Sequence, residues 1–185
     1  MKNYVFIFTV FCLLSLQNNF AQSKQGGTAE DAKNILERTV NLVKANKTVA
    51  FAMITAGGQG GLSIKDVYPF CTDKNSGIQA AHPYAAGTNM KEFTSTDGKK
   101  LYSIMVKNAK EGVVSKISYK FAKLEGSALS NEEYSKTTFY TLVGGYLCGS
   151  GFYKWDYCTS SNGVLVRNLT STSSKFLHEN FPVTL

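Results

Sequence analysis

The chain has 185 residues, 43% of them hydrophobic, with 20 lysines and arginines against 13 acidic residues and a formal net charge of +7. That length suits one domain with a self-sufficient core and leaves two domains cramped. The cations are scattered rather than massed on one segment, which argues against nucleic-acid binding. With only His82 and His178 as imidazoles and no metal-ligand spacing among the cysteines, neither a metal nor a cofactor is expected.

Residues 1–21 read as a secretory signal peptide: Lys2, then an apolar run over residues 5–16, then a polar stretch ending at Ala21. The run is too short for a transmembrane span, so the expectation is cleavage after Ala21, no stable membrane insertion, and a secreted or periplasmic address. Its removal takes away one lysine and leaves 164 residues, with 19 basic against 13 acidic residues, a net +6. Three cysteines remain, Cys71, Cys148 and Cys158. An exported compartment permits one bridge among them. The sequence does not choose the pair; Cys148 sits in an apolar strand-like run that both other thiols could approach, and a Cys148–Cys158 bridge is the expectation.

Residues 22–28 are polar and glycine-containing and read as a flexible leader. Thr28 followed by Asp31 resembles a helix N-cap with an acidic first turn. Beyond it Ile35, Leu36, Val40, Leu42 and Val43 recur at helical spacing, with Lys33, Glu37, Arg38, Asn41 and Lys44 opposite, which predicts an amphipathic helix. A second short helix is expected over residues 49–54, ended by Gly57 and Gly58.

Residues 64–71 are rich in β-formers, but Pro69 cannot donate to a ladder, so this strand should have a free edge or a local break there. Turn chemistry at residues 72–77 leads into a returning strand over residues 78–81. Residues 82–100 lack periodicity and form a long connection, of the kind that often carries function. A helix then starts at Leu101, with Gly112 as its expected C-cap.

Strict alternation over residues 113–121 predicts a half-buried strand with Ile117, Tyr119 and Phe121 on one face. A polar loop is expected over residues 122–135. Two strands follow, over residues 137–143 and 146–153, joined by the hairpin signal Gly144-Gly145. Gly149 and Gly151 in the last strand imply close approach by a backbone, a ligand or a large aromatic. In the tail a strand is expected near residues 164–166.

In their order and spacing these segments resemble the single Cache domain, an extracytoplasmic relative of the PAS-like sensory fold. The resemblance is carried by Leu42-Val43-Lys44, Ala50-Phe51, Ala81-His82-Pro83, Gly87-Thr88-Asn89-Met90, Asp97-Gly98-Lys99 and the run from Tyr146 to Tyr153. It implies an α+β fold: a long N-terminal helix packed on a five-stranded antiparallel PAS-like sheet, occupying residues 29–153, with residues 154–185 as a C-terminal extension. It also implies a small-molecule pocket between the sheet and the segment running over it. Unlike the receptors and kinases that usually carry such domains, this chain shows no second transmembrane helix or output domain, so a free-standing binding protein, or one that signals through an envelope receptor, is expected.

Within that frame the candidate ligand-binding residues are His82, Tyr84, Tyr68, Tyr119, Lys136 and Tyr140. His82 could meet a carboxylate or amide, or simply fix the His-Pro turn, and Tyr84 could close over the same space. Tyr119 shares a strand face with Phe121, which reads as core, and its hydroxyl needs a partner when buried. Lys136 falls where the family often has a basic residue facing the cavity; a bound organic acid could neutralise it, and an exposed lysine is the plain alternative. Tyr140 and Phe139 must face opposite ways, and Tyr140 is the one placed in the pocket. Tyr68 and Phe70 share a face on the first strand, where core is the leading reading and pocket lining the alternative.

The function so implied is recognition of a small polar metabolite, such as an organic or amino acid, without catalysis. No nucleophile elbow, metalloprotease motif or phosphate loop argues for an exported enzyme. Trp155 and Tyr157 keep open an envelope protein–protein interaction module.

Overall fold

The computed structural model describes residues 26–125, 128–154, 157–159 and 165–167. The expected signal peptide, residues 22–25 of the leader, Trp155 and most of the C-terminal extension lie outside them. Helix α1 (Ala29–Ala45) opens with a complete capping box. The Asp31 amide donates to Thr28 Oγ1 at 3.1 Å, and the Thr28 amide donates to the Asp31 carboxylate at 2.9 Å. Two otherwise unpaired donors are satisfied at the positive end of the helix dipole. Asn46 then serves twice, its extended backbone ending α1 and its side chain accepting from the Val49 amide to start α2 (Lys47–Thr55). The leader does not stay loose to its end: Gly26 and Gly27 are buried, and the Gly27 amide donates to Asp66 at 2.6 Å.

Five strands form one antiparallel sheet in the order β2-β1-β5-β4-β3. The first, β1 (Tyr68–Asp73), begins four residues later than expected, because residues 64–67 close a tight turn with Lys65 in the left-handed region. Strand β2 (Gln79–Ala81) pairs with β1 only at Cys71 and Thr72, across a bulge. Residues 68–70 therefore have no strand on that side among the described residues, which is the free edge that Pro69 requires.

Helix α3 (Leu101–Asn108) ends at Ala109, not at Gly112. The chain there turns extended to bring Lys110 and Glu111 against Leu142, whose amide donates to the Lys110 carbonyl. Strand β3 (Ser115–Glu125) and strand β4 (Ala128–Val143) pair far beyond the expected limits. Residues 122–135 are thus mostly a two-stranded ribbon rather than a loop. Its Glu132 and Glu133 face solvent, so no apolar alternation marked it. Gly144 and Gly145, both at positive φ, make the two-residue turn into β5 (Tyr146–Tyr153). The tail's expected strand is β7 (Leu165–Arg167), paired with β6 (Tyr157–Thr159).

The disulfide joins Cys71 to Cys148, which excludes the expected Cys148–Cys158 pair. The physical reason is register: β1 and β5 are neighbours, and these two residues stand directly opposite, with Cα atoms 4.1 Å apart.

Alternation along the strands feeds two cores. On one face Leu36, Val43, Ala50, Ile54 and Phe139 pack α1 and α2 onto the sheet, and on the other Leu101 and Met105 of α3 meet Tyr140, Leu142 and Leu147. Each large apolar side chain so buried contributes ~1.5–3 kcal/mol. Among the described residues no helix is long and apolar enough to cross a membrane.

Candidate functional site

On the α3 face, where β1 lacks a full partner, the sheet and the segment of residues 82–100 enclose a cavity of about 520 Å³. That volume suits a small metabolite. Tyr68 and Phe70 of β1, Tyr119 and Phe121 of β3, and Lys136 of β4 form its floor. His82, Tyr84 and Phe93 from the covering segment, with Leu101 and Met105 of α3, form its roof.

Lys136 is the electrostatic centre. It is only 5% exposed, and its Nζ donates to the Tyr68 hydroxyl at 3.1 Å. The same ammonium lies 4.6 Å from the ring centroids of Tyr68 and Tyr153 and 5.5 Å from that of Phe121. Aromatic faces attract a cation, but only partly replace lost water. Among the described residues no carboxylate is within ion-pair distance of Lys136; the nearby Asp66 is engaged by Lys123 at 3.1 Å and by the Gly27 amide. Burial accordingly pushes the Lys136 pKa down, with Tyr119 and Asp66 pulling the other way.

Two glycines make this arrangement possible. A Cβ on Gly149 would lie 2.6 Å from Phe70 Cζ, and one on Gly151 would lie 3.1 Å from Lys136 Cε. Their absence lets the phenyl ring and the lysine stem lie flat on β5, as the sequence pattern implied.

His82 fixes the turn that was one of its two readings and also lines the cavity. Its Nδ1 accepts from the amides of Tyr84 and Ala85, each at 3.0 Å, which fixes the turn into the covering segment. With Nδ1 committed as an acceptor, the neutral ring carries its proton on Nε2. Burial, reinforced by Lys136, lowers its pKa to about 4, so the ring is uncharged at neutral pH. Tyr84 stands at the rim, 60% exposed, edge-on to Tyr68 at 5.3 Å. Tyr119 donates to or accepts from Thr138 Oγ1 at 3.0 Å, while burial raises its pKa and pushes that of Tyr68 up to about 12. Both phenols stay protonated at neutral pH.

Five of the six expected residues, Tyr68, His82, Tyr84, Tyr119 and Lys136, thus converge on one cavity. Tyr140 does not: it is 2% exposed and packs with Leu101, Met105 and Leu147 in the core beneath α3, outside the cavity wall. Phe121 corrects in the other direction, lining the cavity where a core position was expected. Sequence reasoning missed Phe93, Leu101 and Met105, whose helix and loop positions carried no sign of the sheet they would face. It also missed Gln79, which is 5% exposed and whose amide reaches Thr88 Oγ1 at 3.4 Å.

Solved structures share this fold. A methyl-accepting chemotaxis protein from Vibrio parahaemolyticus superposes with a TM-score of 0.52 at 18% identity, over 67% of this chain and 86% of that one. The periplasmic sensor domain of a chemotaxis protein gives 0.48 at 18% identity, over 67% and 88%. A Cache chemosensory domain described for carboxylic acid recognition gives 0.47 at 21% identity, over 67% and 86%. No protein-family model and no curated protein matches the chain. The fold, α+β with a five-stranded antiparallel sheet, is thus shared with the Vibrio parahaemolyticus chemotaxis protein and agrees with the fold that the resemblance to the single Cache domain implies.

Proposed function

We propose that this chain is an extracytoplasmic, non-catalytic domain that senses a small organic acid. The observation that supports it is the Lys136 ammonium: buried, lining a metabolite-sized cavity, and without a carboxylate partner among the described residues. A ligand carboxylate placed there would supply the missing counter-charge, and the neutral Nε2–H of His82 and the phenols of Tyr68 and Tyr119 offer further donors. The aromatic walls would hold the ligand's carbon skeleton. Lys136, His82 and the phenols of Tyr68 and Tyr119 offer donors to the cavity, while Glu92, the one carboxylate in its lining, accepts from the Asn89 side-chain amide at 3.2 Å; the imidazole that could act as a base has its Nδ1 committed to the backbone.

The test is thermal denaturation and calorimetry against a panel of mono- and dicarboxylates and amino acids. A ligand at 100 times its Kd raises stability by ~2.7 kcal/mol. At least one carboxylate should do so, and Lys136→Met should abolish the effect. A panel without response, or equal response in Lys136→Met, overturns the reading.

A further inference from the structure

The opposite face of the sheet carries a second concavity that the ligand cavity does not explain. Helix α1 crosses β5 and β4 but stops short of β3, leaving a groove of about 630 Å³ between them. Leu36, Val40, Phe139 and Val114 give it an apolar floor, and Val114 is 57% exposed. Lys33 and Lys44 stand along the helix wall and Lys116 on the strand wall, all three exposed. Among the described residues none of them makes an ion pair. Lys33 instead rests over the Phe139 ring, 5.4 Å from its centroid. Glu37 is the one acid in the lining, and it lies between Lys33 and Lys44 on the same helix face.

We infer that this groove docks an extended segment of a partner protein, apolar at its centre and carrying carboxylates at its ends. Charge complementarity chooses the occupant. Lys44 lies eleven residues beyond Lys33, about 16 Å along the helix, the reach of about five extended residues. Glu37 repels an acid placed midway, so the acidic groups belong at the ends and the apolar ones over the floor. A second copy presenting the same face would bring its lysines against these, and like charges oppose that pairing. Addition of a strand to the β3 edge is a different mode, and that edge is already occupied: Lys99 Nζ donates to the Ser118 carbonyl at 2.7 Å, and the Lys120 amide bonds Asp97.

The experiment pans a random heptapeptide display library on the full chain and measures the enriched peptides by fluorescence anisotropy. Enriched sequences should carry Asp or Glu on both sides of an apolar centre. Lys44→Glu/Lys116→Glu should weaken them at least tenfold, Lys44→Gln/Lys116→Gln should weaken them less, and Lys136→Met should leave them unchanged. Lys44 and Lys116 are exposed, so unchanged melting curves for the two double variants will accompany the result. Enrichment without acidic flanks, or affinity indifferent to the lysine substitutions, overturns the inference. So does lysine-dependent self-association in sedimentation, or lysine-dependent binding to phosphatidylglycerol vesicles without peptide selection.

Discussion

The Lys136 ammonium donates to the Tyr68 hydroxyl at 3.1 Å while lying 4.6 Å from the centroid of the same ring. One tyrosine thus supplies both an acceptor and a π face to a buried cation. Tyr68→Phe keeps the face and removes the acceptor. We expect a loss of about 1–3 kcal/mol in chemical denaturation, since the ammonium is left short of a partner. Lys136→Met removes the charge and its desolvation together and should cost less stability than Tyr68→Phe, while eliminating carboxylate binding.

On the proposed function, the same ammonium sets the pH dependence of binding. Its pKa is depressed by burial, and a carboxylate binds the charged form. Affinity should therefore hold below the Lys136 pKa and fall about tenfold for each pH unit above it, beginning at a lower pH than an exposed lysine would give. Calorimetry of the best carboxylate across the alkaline range checks this, and a flat profile would remove Lys136 as the anion's partner.

His82 predicts an acid-side effect. Its folded pKa, about 4, lies below its ordinary 6.5. Between those values the unfolded chain binds the extra proton, so this contribution to stability is complete above about pH 6.5 and is lost as pH falls toward 4. His82→Asn, whose side-chain oxygen can take over the Tyr84 and Ala85 amides, should flatten this portion of the profile. Urea denaturation at pH 7 and pH 4.5 measures the difference.

The cross-strand disulfide closes a separation of 77 residues. Cys71→Ala/Cys148→Ala should lower stability by about 2–4 kcal/mol without changing Cys158. Mass spectrometry of the unreduced protein should find Cys71 linked to Cys148; a Cys148–Cys158 peptide would contradict the pairing.

Gly149→Val tests the cavity floor. The new side chain meets Phe70 Cζ, and even a Cβ would be 2.6 Å from it. We expect about 1–3 kcal/mol of destabilisation from overpacking and weaker ligand binding, as the ring is forced into the cavity.

Local chemistry made much of this fold legible. Thr28 with Asp31, the alternation around Tyr119, and Gly144-Gly145 each state their structure within a few residues, and the spacing of Gly149 and Gly151 announced a close neighbour. What stayed hidden depended on partners distant in the chain. The ribbon through Glu132 and Glu133 is held by β3 pairing rather than by an apolar stripe. The partner of Cys148 follows from β1 lying beside β5. Tyr140 and Phe121 both alternate correctly, yet which of them meets α3 and which meets empty space depends on where α3 ends. Five of the six ligand-binding candidates converge because they share strand faces or the His82 turn, which a sequence does display.

Stitching β1 to β5 through Cys71 and Cys148 also decides which parts of the domain can respond to an occupant. The two central ribs beneath the chamber are bolted together, and Tyr68 and Phe70 ride on one of them. On the proposed function, adjustment to an occupant falls to the canopy that starts at His82 and to α3.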